Sequence, residues 1–364
     1  MSVITRAGRA TLVPVAVAAL AACSAIGASG AAPTGGASSS GGGTVTLVTH
    51  SSFALSDGLL DDFTRQTGYT VKLVQPGDAG TLVNQLVLTK DAPLGDVVFG
   101  IDNTFASRAL DEGVVVPASP ALTAAALADG EKYAVAGDDE GALVPVDDGD
   151  VCVNVDHTWF AQHSLAEPVT LDDLTKPEYR DLLVTPSPAT SSPGFAFFLA
   201  TVGAYGDGGW VDYWTALKAN GVKVVEGWED AYYTDFTAGG GSGTRPIVVS
   251  YSSSPPYTVP KDGGEPTTGA LLDTCFRQVE YAGVLAGASN PTGAAALIDF
   301  LLSDEVQKDI PVSMYMYPVS SHVTVPDDWA RWAPLAEHPF DVPAADITTH
   351  REEWLTQWSD VVLG

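Results

Sequence analysis

The sequence predicts an α/β protein of two lobes, each a mixed, mostly parallel sheet flanked by helices, with a ligand cleft between them. Three observations carry that prediction. Strand and helix patterns alternate from residue 44 to residue 101, the mark of βαβ units and a parallel sheet. Two extended segments, 142–155 and 276–284, lie far apart in sequence and are long enough to run between lobes. Several predicted strands end abruptly in hydroxyl, acidic and aromatic residues, where open α/β sheets hold their ligands.

A leader precedes these elements. Residues 1–22 carry Arg6 and Arg9 and then an acid-free apolar run, the layout of a secretory signal peptide. The run is too short for a permanent transmembrane helix. It closes on Leu20-Ala21-Ala22-Cys23, which resembles a bacterial lipobox and predicts lipidation of Cys23 as the first mature residue. A chance cysteine in an Ala-rich leader is the alternative. Residues 23–43 are mostly Gly, Ala and Ser, so the lipidated cysteine and a disordered tether are expected there. The remaining chain of about 320 residues can bury a sizeable core.

The whole chain has 17 basic and 45 acidic residues, a net charge of −28. Losing the two leader arginines takes it to −30. Nucleic acid is therefore not an expected partner, because phosphate binding needs a basic surface. Such acidity suits the extracytoplasmic face of the cell envelope and attracts cationic ligands, weakly at physiological salt. Besides Cys23 there are Cys152 and Cys275, each in an apolar, strand-like run. In an oxidising compartment a disulfide between them is expected, with two separate buried thiols as the alternative.

In order, Thr44-Val45-Thr46-Leu47-Val48-Thr49-His50 alternates as a first strand, and Ser51-Ser52-Phe53 follows as its exit loop. A helix over 57–67 stops at Gly68, a strand covers 71–74, a helix 79–89, and a third strand 96–101 ends in Asp102-Asn103. A short helix over 105–111 and an Ala-rich stretch to 128 follow. Segment 142–155 is extended, with a polar break at Asp147-Asp148-Gly149-Asp150, and reads as the crossing from the first lobe to the second.

In the second lobe Thr170 caps a helical turn, and a strand over 182–186 runs into a turn containing Thr190-Ser191-Ser192-Pro193-Gly194 before an apolar helix over 195–203. The free N–H groups and dipole at such a helix start make a cradle for an anion or polar group; a plain N-cap with surface serines is the alternative. A helix over 211–220 and a strand over 222–225 lead to Gly227-Trp228-Glu229-Asp230-Ala231-Tyr232, and 237–244 read as a mobile loop. Val248-Val249-Ser250-Tyr251-Ser252-Ser253-Ser254-Pro255-Pro256-Tyr257 is a buried strand giving way to hydroxyls, prolines and rings. It reads as a ligand-holding strand exit or as a Ser/Pro turn with two packing tyrosines. A loop over 261–268 precedes the strand over 276–284, which returns to the first lobe. A helix opening at Asn290-Pro291 ends before Pro311, and a closing helix over 346–361 sets Trp354 and Trp358 one turn apart for packing. Lobe 1 then comprises 44–147 and 275–315, and lobe 2 comprises 148–274 and 316–364.

No G-x-S-x-G elbow, H-E-x-x-H, P-loop or paired C-x-x-C is present. His50 and Ser51 are adjacent on a strand and point to opposite faces, so they make a poor nucleophile pair. The six histidines show no metal-ligand spacing. A binding protein without catalytic residue, metal or cofactor is expected, a secreted hydrolase being the alternative from another class.

The lipobox, the two-lobed body and the aromatic strand exits together resemble the solute-binding proteins of ABC importers, and more specifically the periplasmic thiamine-binding proteins. The likeness rests on Phe99-Gly100-Ile101-Asp102-Asn103, Thr190-Ser191-Ser192-Pro193-Gly194, Gly227-Trp228-Glu229-Asp230-Ala231-Tyr232, the run from Ser250 to Tyr257, and Met316-Tyr317-Pro318-Val319. These stand in family order and cover nearly the whole mature chain. The resemblance implies a type II periplasmic-binding-protein-like fold that closes as a monomer on thiamine or a thiamine phosphate and delivers it to ABC permease subunits. It implies Trp228, Tyr232, Tyr251 and Tyr257 as ring contacts, Asp102 or Asp147 as a carboxylate near the thiazolium, and Thr190, Ser191, Ser192 and Gly194 as a hydroxyl and N–H cradle. Ser252 is a further polar contact, and Tyr315 stands where the family has a tryptophan expected to face the thiazolium. His50, Ser51, Ser52 and Asn103 complete the expected ligand set. The chain departs from the family at His50-Ser51, where a Tyr-Asp pair is usual, and at Asp57, where a ring is usual. A receptor for a polyamine, ferric iron or an organic anion is the alternative.

Overall fold

The computed structural model describes residues 42–123, 127 and 129–364. The expected leader, Cys23 and nearly all of the tether lie outside the described residues. A ten-stranded mixed sheet runs through the described chain. Strands β1 (Gly43–Thr49), β2 (Tyr69–Val74) and β3 (Val97–Asp102) are linked by helices α1 (Leu59–Thr67) and α2 (Ala79–Leu88), and β1 lies parallel between the other two. Helix α3 (Ala106–Asp111) and β4 (Val115–Val116) follow, then β5 (Val144–Asp156) and α4 (His157–His163). The far side holds β6 (Leu183–Pro186), α5 (Ser192–Tyr205), α6 (Gly209–Ala219), β7 (Lys223–Val225) and β8 (Ile247–Tyr251). Then come β9 (Thr268–Leu285), α7 (Pro291–Leu301), α8 (Asp304–Ser313), β10 (Tyr317–Pro318), α9 (Trp329–Trp332) and α10 (Ala344–Val362).

The strand order is β2-β1-β3-β9-β5-β8-β6-β7, with β4 on β9 and β10 on β5. Parallel trios stand at the two ends, and the long antiparallel pair β5 and β9 joins them. Every residue of β5 is buried, which is why its apolar positions do not alternate. Helix α5 is apolar all round and buries Phe197 and Phe198 against Trp210 and Trp214 of α6 and Trp354 of α10, and Phe195 against Phe105. Trp354 and Trp358 are packing residues, both buried.

Some element boundaries differ from the sequence reading. The polar break in 142–155 does not interrupt β5; Asp147, Asp148 and Asp150 stay in the ladder because β9 pairs with them throughout. The helix at Asn290 does not run toward Pro311 in one piece. It stops at Leu301, and Ser303 caps a second helix, α8, that contains Pro311. Pro311 cannot donate to the Gln307 carbonyl, and the helix ends two residues later at Ser313. Strand β9 begins at Thr268, well before residue 276, and 230–235 form a π-helical turn.

Cys152 and Cys275 form a disulfide across a sequence separation of 123, and both are fully buried. The β5–β9 register passes from Val151↔Phe276 to Val153↔Leu271, so β9 bulges opposite Cys152 and the bridge ties that bulge to β5. Closing so long a loop is expected to stabilise the protein by about 2–4 kcal/mol. The Cys152→Ala/Cys275→Ala double variant should lose stability of that order in urea unfolding, and the unreduced, denatured mature protein should show no free thiol from either cysteine.

Candidate functional site

The exits of β1 and β8, the start of α2, the start of α5 and one stretch of β9 converge on a cavity of about 310 Å³. Its aromatic wall comes from the far half of the sheet. Trp228 stacks on Tyr232 with centroids 5.1 Å apart and meets Tyr233 and Tyr251 edge-on. Tyr257 meets Tyr232, Tyr233 and Tyr315 edge-on, at 5.7–6.1 Å. The π-helical turn brings Tyr232 and Tyr233 to this wall, and Pro255 and Pro256 hold the turn that presents Tyr257. Trp228 is fixed by a hydrogen bond from its indole Nε1 to Ser250 Oγ at 2.9 Å, and Ser250 in turn bonds Ser254 Oγ at 2.8 Å. Its six π-faces are suited to a flat or cationic ring.

The floor is acidic. Asp102 on β3 is the cross-strand partner of Glu280 on β9, and Glu280 is the partner of Asp147 on β5. Three carboxyl groups therefore stand in a row across three adjacent strands, and Glu280 is the one that lines the cavity. Burial pushes Asp102 up to about 6 and Asp147 up to about 8, and it holds Glu280 well above the carboxylate range, with Asp147 and Asp102 adding repulsion. Asp147 and Glu280 are direct cross-strand partners, and two buried carboxyl groups this close disfavour both being charged at once. His50 Nε2 lies 3.7 Å from Glu280 Oε2. Burial lowers His50 to about 4, so the imidazole is neutral at pH 7 and does not form an ion pair with the protonated floor. Gly100, at φ +96°, leaves room for this ring: a Cβ there would stand 2.2 Å from His50 Cδ2.

Asp78 ties the two sides together. It caps α2 by accepting from Ala79 N at 2.6 Å, and its other oxygen accepts from Trp228 N at 2.8 Å. Thr81 N donates to Thr190 O at 3.0 Å, an approach that requires Gly80, where a Cβ would meet the Thr190 carbonyl carbon at 2.6 Å. At the start of α5, Ser191 caps the helix and Ser192 Oγ donates to Asp102, while the Ser191 hydroxyl and the Ser192 N–H favour the charged form of Asp78 against its burial. The donors at this helix start thus already serve two of the protein's own carboxyl groups.

Of the residues singled out from sequence, His50, Ser51, Ser52, Ser192, Trp228, Tyr232, Tyr251, Tyr257 and Tyr315 line the cavity. The others stand behind or beside it. Asn103 bonds the backbone of β9 through Arg277 O and Val279 N, and Thr190 donates to Glu226 O. Gly194 packs against Pro186 O and Ser187, and Ser252 is fully buried with no partner for its hydroxyl among the described residues. Asp102, Asp147 and Ser191 are buried behind the lining. Sequence reasoning missed Asp78, Glu229, Tyr233 and Glu280. Only Glu280 carried a local signal, as a lone acid within an otherwise apolar stretch of strand.

Residues 92–341 match the family of bacterial extracellular solute-binding proteins. The chain belongs to that family. This solute-binding protein is a receptor and not an enzyme, and its fold is the two-lobed α/β, type II periplasmic-binding-protein architecture. It is 26% identical to the thiamine-binding periplasmic protein of Escherichia coli K12, over 87% of this chain and 93% of that one. A solved periplasmic thiamin binding protein superposes with a TM-score of 0.75 at 24% identity, covering 88% of this chain and 96% of the other. Iron-bound HitA of Pseudomonas aeruginosa superposes at 0.67 with 21% identity, covering 87% and 99%.

The buried acids set a pH dependence of stability. Asp147 keeps its proton in the folded protein to about pH 8, whereas its ordinary value is 3.8. Its contribution to stability is therefore greatest below about pH 4 and is lost as pH rises from about 4 to about 8. Asp147→Asn should remove that loss, raising the unfolding free energy at pH 8.5 by on the order of 1–3 kcal/mol and much less at pH 4.5, as read by urea titration at the two pH values.

Proposed function

We propose that this chain is a lipid-anchored extracytoplasmic receptor that closes on thiamine, or on a thiamine phosphate, and delivers it as a monomer to an ABC permease. The observation that carries this reading is the pairing of an aromatic wall with an acidic floor in one cavity whose lining contains no Lys or Arg. Thiamine is an aminopyrimidine joined to a permanently cationic thiazolium. Its two flat rings suit the faces of Trp228, Tyr251, Tyr257 and Tyr315, and its charge suits Glu280 and the carboxyls behind it. A cation held against an aromatic face in a desolvated site gains about 2 kcal/mol. The relatives named for thiamine binding support the same ligand class. Closure about β5 and β9 would bury the ligand between the lobes. Lipidation of Cys23 rests on Leu20-Ala21-Ala22-Cys23.

Ferric iron draws little support from the donor set: among the described residues no group of three or more His, Cys, Asp or Glu side chains is arranged to hold a metal ion. Calorimetry with thiamine, its mono- and diphosphates and spermidine tests the reading. Saturable heat is expected with at least one thiamine form and none with spermidine; silence with every thiamine form, on folded protein, would sink it. Trp228→Ala should weaken thiamine binding more than tenfold, the equivalent of about 1.4 kcal/mol. An unchanged affinity would reduce Trp228 to a packing residue.

A further inference from the structure

The row Asp102–Glu280–Asp147 has no counter-charge within its own layer. The groups facing Glu280 are His50 at the exit of β1, Asp78 at the start of α2, Asp102 on β3, Asp147 on β5 and Tyr251 on β8. None of them is a Lys or Arg. Arg351 of α10 lies further back, over the adjacent rings of Phe105 and Phe195 at 4.3 and 5.1 Å and ion-paired with Glu352, and its charge acts on Asp102 at the end of the row without forming an ion pair with it. Both carboxyl oxygens of Asp147 are fully buried and have no hydrogen-bond partner among the described residues. Glu280 Oε1 accepts from Gln278 Nε2 at 3.2 Å, and Gln278 Oε1 accepts from the Tyr251 hydroxyl at 3.3 Å. One edge of Glu280 is thereby oriented by neutral donors while its side chain borders the cavity. Tyr232, only 2% exposed, also lines the cavity, and its hydroxyl has no partner among the described residues.

A row of acids this deep is costly unless its charge is neutralised. Two species can neutralise it, a proton or a cation in the cavity. We propose that Glu280 is the residue that reads the positive charge of the ligand, and that an entering cation displaces to solvent one proton held by the Glu280–Asp147 pair. The exchange balances: a Glu280–Asp147 pair with both carboxyls protonated, net charge zero, loses one proton to water and is left as one carboxyl and one carboxylate, whose negative charge faces the bound cation. The raised titration of the floor accords with this, because a proton can be displaced only if the protein holds it at the working pH. The exchange also makes Glu280 a specificity residue. A neutral ring of the same shape would fill the aromatic wall but supply nothing to replace the proton.

This inference rests on the reading of the ligand as thiamine, and its test separates the two. Titrating the mature protein with thiamine in two buffers of equal pH and different ionisation enthalpy counts the protons exchanged. Near pH 6.5 the wild type should release up to about one proton per thiamine, with affinity rising by up to about tenfold per pH unit until the floor is ionised without ligand. Glu280→Gln should bind thiamine more than tenfold more weakly and release no proton. Asp147→Asn keeps Glu280 and removes its like-charged neighbour. It should bind thiamine at least as tightly as wild type near pH 6 while releasing fewer protons, which a merely structural role for Asp147 would not produce. Thiamine bound without proton exchange at any pH from about 5.5 to 8.5, or with unchanged affinity in Glu280→Gln, overturns this inference and leaves the ligand reading standing. No heat with thiamine at all removes both.

Discussion

The antiparallel ladder between β5 and β9 is the interaction on which the rest of the structure depends. These two strands run side by side through the middle of the sheet. β9 carries the β3 side and β5 carries the β8 side. Each end trio is parallel and could be built from local βαβ units, but only the long pair makes them one sheet. The disulfide lies within this pair, at the point where β9 bulges, so the crossing is covalently tied where its hydrogen-bond register is broken. Everything at the cavity is positioned relative to it, because the strand exits that bear the rings and acids stand in fixed register with β5 and β9.

The same ladder explains the unusual electrostatics. Strands buried on both faces leave no solvent for their polar side chains, yet β5 and β9 carry acids where they cross. On one side Asp150 is satisfied by Arg277 and by Ala336 N at 2.6 Å, an ion pair of ordinary logic. On the other, Asp102, Glu280 and Asp147 face one another with no base between them. A fold selected for stability alone would replace such a row with apolar residues. Its persistence beside an aromatic cavity is understandable if cation binding is the purpose, since the desolvated carboxyls attract a positive ring most strongly where water is absent.

The far side of the cavity depends on a different device. Asp78 spans the two sides with a single carboxylate, capping a helix on one and accepting the Trp228 backbone N–H on the other, so the position of the largest ring in the site is coupled to the start of α2. The hydroxyl-rich turn before α5 is drawn into the same network. Its helix-start donors face Asp78 and Asp102, which makes this turn a contact between the two sides of the cleft as much as a cradle.

Much of this was legible in the residues. The alternation of strand and helix from 44 to 101, the apolar crossing segments and the buried tryptophan pair of the last helix follow from short-range pattern, because periodicity and composition act within a few residues of chain; the Cys152–Cys275 bridge followed instead from the cysteine count and an oxidising compartment. The strand exits at His50, Trp228, Tyr251 and Tyr257 were legible too, since a buried strand ending in rings and hydroxyls is itself a local event. The parts that were not legible are those set by register. Asp102, Asp147 and Glu280 are remote from one another in sequence, and nothing local says that they oppose one another; only the pairing of β3, β9 and β5 brings them into one row. Likewise the helix break at Leu302 and Ser303 and the π-helical turn at 230–235 were decided by capping and packing, not by the run of apolar residues. The sequence by itself determined which elements form and which of their ends are decorated. The tertiary structure decided which decorations meet, because a charge acquires its chemistry from neighbours that lie across strands instead of along the chain.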